Sequence, residues 1–196
     1  MIIFGVCGSS GSGKSTVCTY FAKKGIPVLD CDKIYHELIS APSDCLQALE
    51  REFGPEIIEG GALNRKKLAA IVFENKEARE RLNAITHPFV IVEIEKRLSE
   101  LREKDVPACA VDAPLLFESG FNKKCTVTIG VVSDSVLKIR RILNRENIGR
   151  ENAEKRLRSQ RSDEFLRGRC HRIIENNGSV AQLEKASELV LRKYGL

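Results

Sequence analysis

Residues 2–23 constrain the fold more than any other stretch of this chain. Ile2-Ile3-Phe4-Gly5-Val6 is a short apolar run with the look of a buried strand. Gly8-Ser9-Ser10-Gly11-Ser12-Gly13-Lys14-Ser15 follows it, and Thr16 to Lys23 then spaces Val17, Tyr20 and Phe21 as a helix does. A G-x-x-x-x-G-K-[ST] run between a strand and a helix predicts a phosphate-binding P-loop. Gly8, Gly11 and Gly13 allow backbone angles that a side chain would forbid, so successive N–H groups can converge on an anion. The helix start adds its positive dipole end. Lys14 offers a point charge to the β- and γ-phosphates of a nucleoside triphosphate, and the Ser15 hydroxyl is a ligand for Mg²⁺.

Downstream, Gly25-Ile26-Pro27 stops the first helix, and Val28-Leu29-Asp30-Cys31-Asp32 reads as a second strand ending in acid. Helical spacing follows over 34–39 and 45–53, then a turn-rich connection bracketed by Gly54-Pro55 and Gly60-Gly61. From Asn64 to Glu103 the pattern is helical, with Pro88 expected to open the last of several helices. About 70 mostly helical residues therefore separate the second strand from the third, where a simple parallel crossover needs a dozen or somewhat more. That excess predicts an inserted substrate region. Ala108–Asp112 and Thr126–Val132 are near-continuous apolar runs, as in a parallel sheet covered on both faces. Helices are expected from Ser133 or Asp134 onward, over 151–161 and over 180–193, with a last short strand at 171–176. The alternation predicts an α/β fold, a doubly wound parallel sheet of the P-loop NTPase type, with ligands at the carboxyl ends of the strands.

Composition narrows the partners. The 196 residues suffice for one domain with insertions. The seven cysteines form no C-x-x-C pair, which argues against a zinc or redox motif and suits a reducing, cytoplasmic setting. No apolar run approaches the ~18 residues of a membrane span, and no secretion signal is recognisable. The net charge of +5 is mild, and arginine gathers between Arg140 and Arg172 without interleaved aromatics, so a phosphate-rich small substrate is expected in preference to nucleic acid. A GTPase is disfavoured: Asn75-Lys76-Glu77-Ala78 lacks the acid of N-K-x-D, and no aspartate has glycine three residues on.

Several other residues invite chemistry. Asp30 and Asp32 fall at the ligand edge, and position alone leaves open whether one accepts a proton or serves as a turn or helix-start acid. His87 precedes a proline, a common structural setting. Lys138, Arg141 and Arg145 form one helical stripe, readable as a solvated face or as positive charge for a γ-phosphate.

At this point the chain resembles the dephospho-CoA kinase family, whose members catalyse the last step of coenzyme A synthesis. The resemblance rests on Gly8 to Thr16, Asp30-Cys31-Asp32, Leu82-Asn83-Ala84-Ile85-Thr86-His87-Pro88 and Asp112-Ala113-Pro114-Leu115-Leu116-Phe117-Glu118. Arg141 with Arg145, Arg156 with Gln160, and Asn176-Asn177-Gly178 complete it in order over nearly the whole length. The LNxxxHP and PLLFE segments together are specific where the P-loop is generic. The resemblance implies a core of 1–35, 105–137 and 165–196, an inserted substrate region at 36–104, and a lid at 138–164. It implies transfer of the ATP γ-phosphate to the ribose 3′-hydroxyl of dephospho-CoA, with Asp32 as base and Lys14 and Arg141 as catalytic cations. ATP and Mg²⁺ would be held by Gly8, Gly11, Ser12, Gly13, Lys14, Ser15, Thr16 and Arg145, and the acceptor by Asp32, His87, Leu115 and Glu118. The rival expectation is another P-loop kinase of nucleosides or nucleotides. The chain departs from the family pattern at Cys7 and Ser9, where threonine and glycine are usual. It departs again at Lys138, usually glutamine, and at Cys170-His171, usually Ala-Asp.

Overall fold

The computed structural model describes residues 1–73 and 75–196. Residue 74, inside the expected helical run from 64 to 103, lies outside the described residues. Two compact units emerge, one built from Met1–Leu29 with Asp105–Leu196 and the other from Asp30–Lys104.

In the first unit, strand β1 (Ile2–Cys7) leads through the glycine loop into helix α1 (Lys14–Lys23), and β2 (Val28–Asp30) follows. After the second unit come β5 (Ala108–Asp112) and β6 (Val127–Val132), whose residues are all buried. Helices α6 (Ser135–Arg145), α7 (Arg150–Arg158) and α8 (Asp163–Arg169), strand β7 (Arg172–Glu175) and helix α9 (Val180–Lys193) complete it. The sheet runs β2-β5-β1-β6-β7. β1 pairs in parallel with β5 (Ile3 opposite Cys109) and β6 (Phe4 opposite Val127), and β6 with β7. Central strands of a parallel sheet meet helices on both faces, which is why they carry no alternating polar positions. Phe4, Val6, Val17, Phe21, Ile129 and Val131 form the core. Phe4 meets Phe21 and Tyr194 edge-on at 5.7 and 5.5 Å, fastening α1 and the C-terminus to the sheet. Ser179 and Gln182 close a reciprocal capping box at the start of α9.

The second unit holds α2 (Cys31–Ile39), α3 (Asp44–Phe53), a hairpin of β3 (Ile58–Glu59) and β4 (Ala62–Leu63), α4 (Arg65–Val72) and α5 (Lys76–Glu103). Its core is its own: Ile39, Leu49, Phe53, Ile57, Leu68 and Ala78. Arg97 on α5 ties Glu93 (2.8 Å) to Glu37 of α2 (2.5 Å).

Two expectations need correction, and two further elements were not expected. The second strand stops at Asp30, because the Asp30 carboxylate accepts from Lys33 N at 3.0 Å and starts α2; Asp32 is therefore in a first helical turn and not in an extended chain. Pro88 does not open a helix but lies inside the 28-residue α5, where it lacks the N–H that would bond the carbonyl four residues back. The turn-rich stretch contains a hairpin, with Gly60 and Gly61 at φ +58° and +79°, the two positive angles of its tight turn. The last strand is preceded by α8, a short helix with no long apolar periodicity of its own, which Ser162 caps through Phe165 N.

Candidate active site

The glycine loop is shaped by what surrounds it. Gly13 has φ +102°, and a Cβ there would stand 2.1 Å from Asn176 Nδ2; one on Gly11 (φ +74°) would stand 2.5 Å from the Lys138 carbonyl. Only glycine satisfies both the angle and the space. Ser12 N donates to Ser9 O (3.0 Å), closing the turn, and Thr16 N to Gly13 O (3.0 Å), opening α1. Among the described residues, the buried Ser9 and Ser12 hydroxyls find no hydrogen-bond partner in the protein. Buried hydroxyls without partners are costly unless a ligand completes them, and an anion's oxygens would.

Lys14 opens α1 and its ammonium is ion-paired with Asp112, at the carboxyl end of β5. Both side chains are largely shielded, at 14% and 8% exposure. Asp112 was not singled out from the sequence. Its signal was there, a lone carboxylate ending a wholly apolar strand. Ser15 is exposed one residue further along α1, and Thr16 is half-buried.

Three side chains from distant segments brace the loop. The Arg141 guanidinium donates to Gly11 O (3.1 Å), Ser133 Oγ (3.0 Å) and Asn176 O (2.9 Å). Asn176 Nδ2 donates to Ser12 O (2.7 Å). Gln160, just after α7, accepts from Ser10 N at 2.8 Å and reaches Ser10 Oγ at 3.3 Å. Neither Asn176 nor Gln160 was assigned a site role from sequence, since an amide's partners depend on folding that no local pattern reveals. Lys138 is buried and paired with Asp163 at 2.6 Å. Arg145 is exposed and shares Glu146 with Arg156, which holds both carboxylate oxygens at 2.8 and 2.7 Å. Those two guanidinium groups, Arg156 foremost, hold the Glu146 carboxyl below the usual range.

Beside the loop lies a narrow cleft of about 60 Å³ lined in part by Cys7, Gly8, Leu115, Glu118 and Arg161. Thus the predicted residues Gly8, Leu115 and Glu118 do meet, and Arg161 holds Glu118 at 2.7 Å. Cys7 Sγ lies 3.7 Å from Cys170 Sγ. Their hydrogen bond, and then burial, pushes the Cys7 thiol far up, while the same bond lowers Cys170. Asp32 and His87 belong to the unit of residues 30–104, Asp32 exposed on α2 and His87 half-buried on α5.

A parallel sheet with this loop after its first strand, and a lysine at the loop's end, defines a P-loop kinase fold. The dephospho-CoA kinase family model matches residues 2–182. A dephospho-CoA kinase of Fusobacterium nucleatum is 42% identical over 190 residues, covering 96% of each chain. A crystal structure of a Thermus thermophilus protein superposes with TM-score 0.83 at 35% identity, covering 98% of this chain and 97% of the other. A dephospho-CoA kinase from Campylobacter jejuni superposes with TM-score 0.72 at 29% identity, covering 98% and 96%. The chain belongs to the dephospho-CoA kinase family.

Proposed function

We propose that the protein transfers the γ-phosphate of ATP to the ribose 3′-hydroxyl of dephospho-CoA. The observation that carries this reading is the shielded Lys14–Asp112 pair at the mouth of a glycine loop that only glycine can form, in a chain of this family. In such transfers the protein mainly positions the phosphoryl group and stabilises its charge. Gly8, Gly11, Ser12, Gly13 and Thr16 cradle the triphosphate, and Lys14 turns from Asp112 to the phosphate oxygens. Among the described residues no cluster of three or more His, Cys, Asp or Glu could hold a metal ion. A hard cation that arrives with nucleotide phosphates needs only one or two protein oxygens, which the Ser15 hydroxyl and the Asp112 carboxylate can provide. Bound there, Mg²⁺ would neutralise charge on the β- and γ-oxygens.

Asp32 is the base. The assignment follows the family resemblance at Asp30-Cys31-Asp32; Asp30 caps α2, and Asp32 stands in the first turn of that helix. His87, Leu115 and Glu118 bind the acceptor, and residues 138–164 act as the lid, with Arg145 reaching ATP from it. Arg141 supplies its charge from the loop side, where its guanidinium is already anchored. ATP and dephospho-CoA are the partners, and the cytoplasm is the expected location. Transfer of labelled γ-phosphate to dephospho-CoA, set against pantetheine, adenosine and nucleoside monophosphates, tests the reading. Preference for any of the latter three would sink it.

A further inference from the structure

The amide of Asn176 stands between two groups that each allow it one orientation. Arg141 can only donate, and its Nη2 lies 3.4 Å from Asn176 Oδ1; the Ser12 carbonyl can only accept, and Nδ2 lies 2.7 Å from it. An aspartate would face Ser12 O with an oxygen, and an alanine or leucine would face both with nothing. The residue is 6% exposed, and its backbone is pinned independently: Asn176 N donates to Val132 O (2.9 Å), and its carbonyl accepts from Ser133 Oγ (2.7 Å) and Arg141. The side chain is therefore held rigid at the end of β7 and presented to the loop.

What that contact fixes follows from peptide geometry. In a planar trans peptide the C=O and the next N–H point in opposite directions. A donor that grips Ser12 O therefore turns the Gly13 N–H to the far side of the same peptide plane. Gly13 packs so closely on Nδ2 that no other residue fits. We propose that Asn176 is a positioning residue that sets the phosphate loop by orienting the Ser12–Gly13 peptide, with Arg141 locking the amide and the neighbouring Gly11 carbonyl. The proposal rests on the reading of the loop as the ATP phosphate site. Asn176 itself touches no substrate.

The test uses inorganic tripolyphosphate, a ligand that engages a phosphate loop without an adenine, together with steady-state kinetics in the full-length protein. Asn176→Ala removes the grip; Asn176→Leu removes it while keeping the branching and heavy-atom count of the side chain, and circular dichroism with urea unfolding shows that each variant compared is folded. Losing one buried hydrogen bond to a carbonyl that must be pre-set should weaken tripolyphosphate binding by about tenfold. The KM for ATP should rise by a similar factor while the KM for dephospho-CoA stays unchanged. A residue with only a structural role would reduce the active fraction, lowering kcat and leaving both KM values alone. That pattern, or unaltered tripolyphosphate affinity in a folded leucine variant, overturns the assignment. Failure of the unaltered protein to bind tripolyphosphate at all would instead overturn the reading of the loop itself.

Discussion

Replacing Asp112 with asparagine should produce two opposite effects from one contact. Asp112 and Lys14 are 8% and 14% exposed, so their interaction is only partly screened by water. A hydrogen bond to a charged partner contributes about 1.5–3 kcal/mol net, and a neutral one about 1 kcal/mol. Asp112→Asn keeps shape and one acceptor oxygen but loses the charge, so the ligand-free protein should lose about 1–2 kcal/mol. Urea unfolding would read this as a lower midpoint with an unchanged slope. ATP must draw Lys14 away from Asp112, so the wild-type affinity already carries the cost of breaking the pair. The variant is spared most of that cost. Titration calorimetry in excess EDTA, which removes any metal contribution, should therefore show ATP binding about tenfold tighter. Turnover with Mg²⁺ should nevertheless fall. Weaker ATP binding in EDTA, or unaltered stability, would show that Asp112 does not compete with phosphate for Lys14.

Three further outcomes are expected. Lys14→Ala should lower kcat by about 10²-fold or more, the usual loss for a group that stabilises transition-state charge, measured with saturating ATP. Asp32→Asn should lower kcat by about 10²-fold with ATP KM intact, whereas Asp30→Ala should leave turnover near normal and cost about 1 kcal/mol of stability for the lost helix cap; the reverse pattern would move the base to Asp30. Iodoacetamide near pH 8 should label Cys170 before Cys7, since the hydrogen bond from Cys7 lowers the Cys170 thiol whereas the shared bond and burial raise Cys7. Peptide mass spectrometry showing Cys7 modified first would refute that order.

The parts of the fold that were legible in the sequence are those set by local chemistry. The loop announced itself because phosphate binding needs several residue types at fixed offsets, and β5 and β6 did because strands buried on both faces are near-continuously apolar. The errors arose where local signals compete. Asp30 and Asp32 both suit a strand end, and only the hydrogen bond to Lys33 N shows that the helix begins between them. Pro88 carries a strong helix-start signal, but tertiary packing along α5 outweighs the single lost backbone bond. Arg141 and Arg145 share one helical stripe, yet one is clamped to loop carbonyls and the other is exposed beside Glu146. Asn176 and Asp112 gained their meaning from partners 164 and 98 residues away. The strand pattern marks Asp112 as an outlier and the family segments include both residues, but which groups they hold is set only by the fold.

The sheet order also sets a timetable for synthesis. β1 pairs only with β5 and β6, so the strand that carries the phosphate loop emerges from the ribosome without a neighbour. Its first partner, starting at Ala108, arrives after the whole of residues 30–104. Closing a flexible loop of about 100 residues costs on the order of 4 kcal/mol from the logarithmic chain-entropy term. The helical unit draws its core from within its own span, and folding it first replaces most of that slack with a fixed body. The residues translated second are thus expected to be organised first, and the nucleotide loop, which precedes them in the chain, to be among the last parts to take shape.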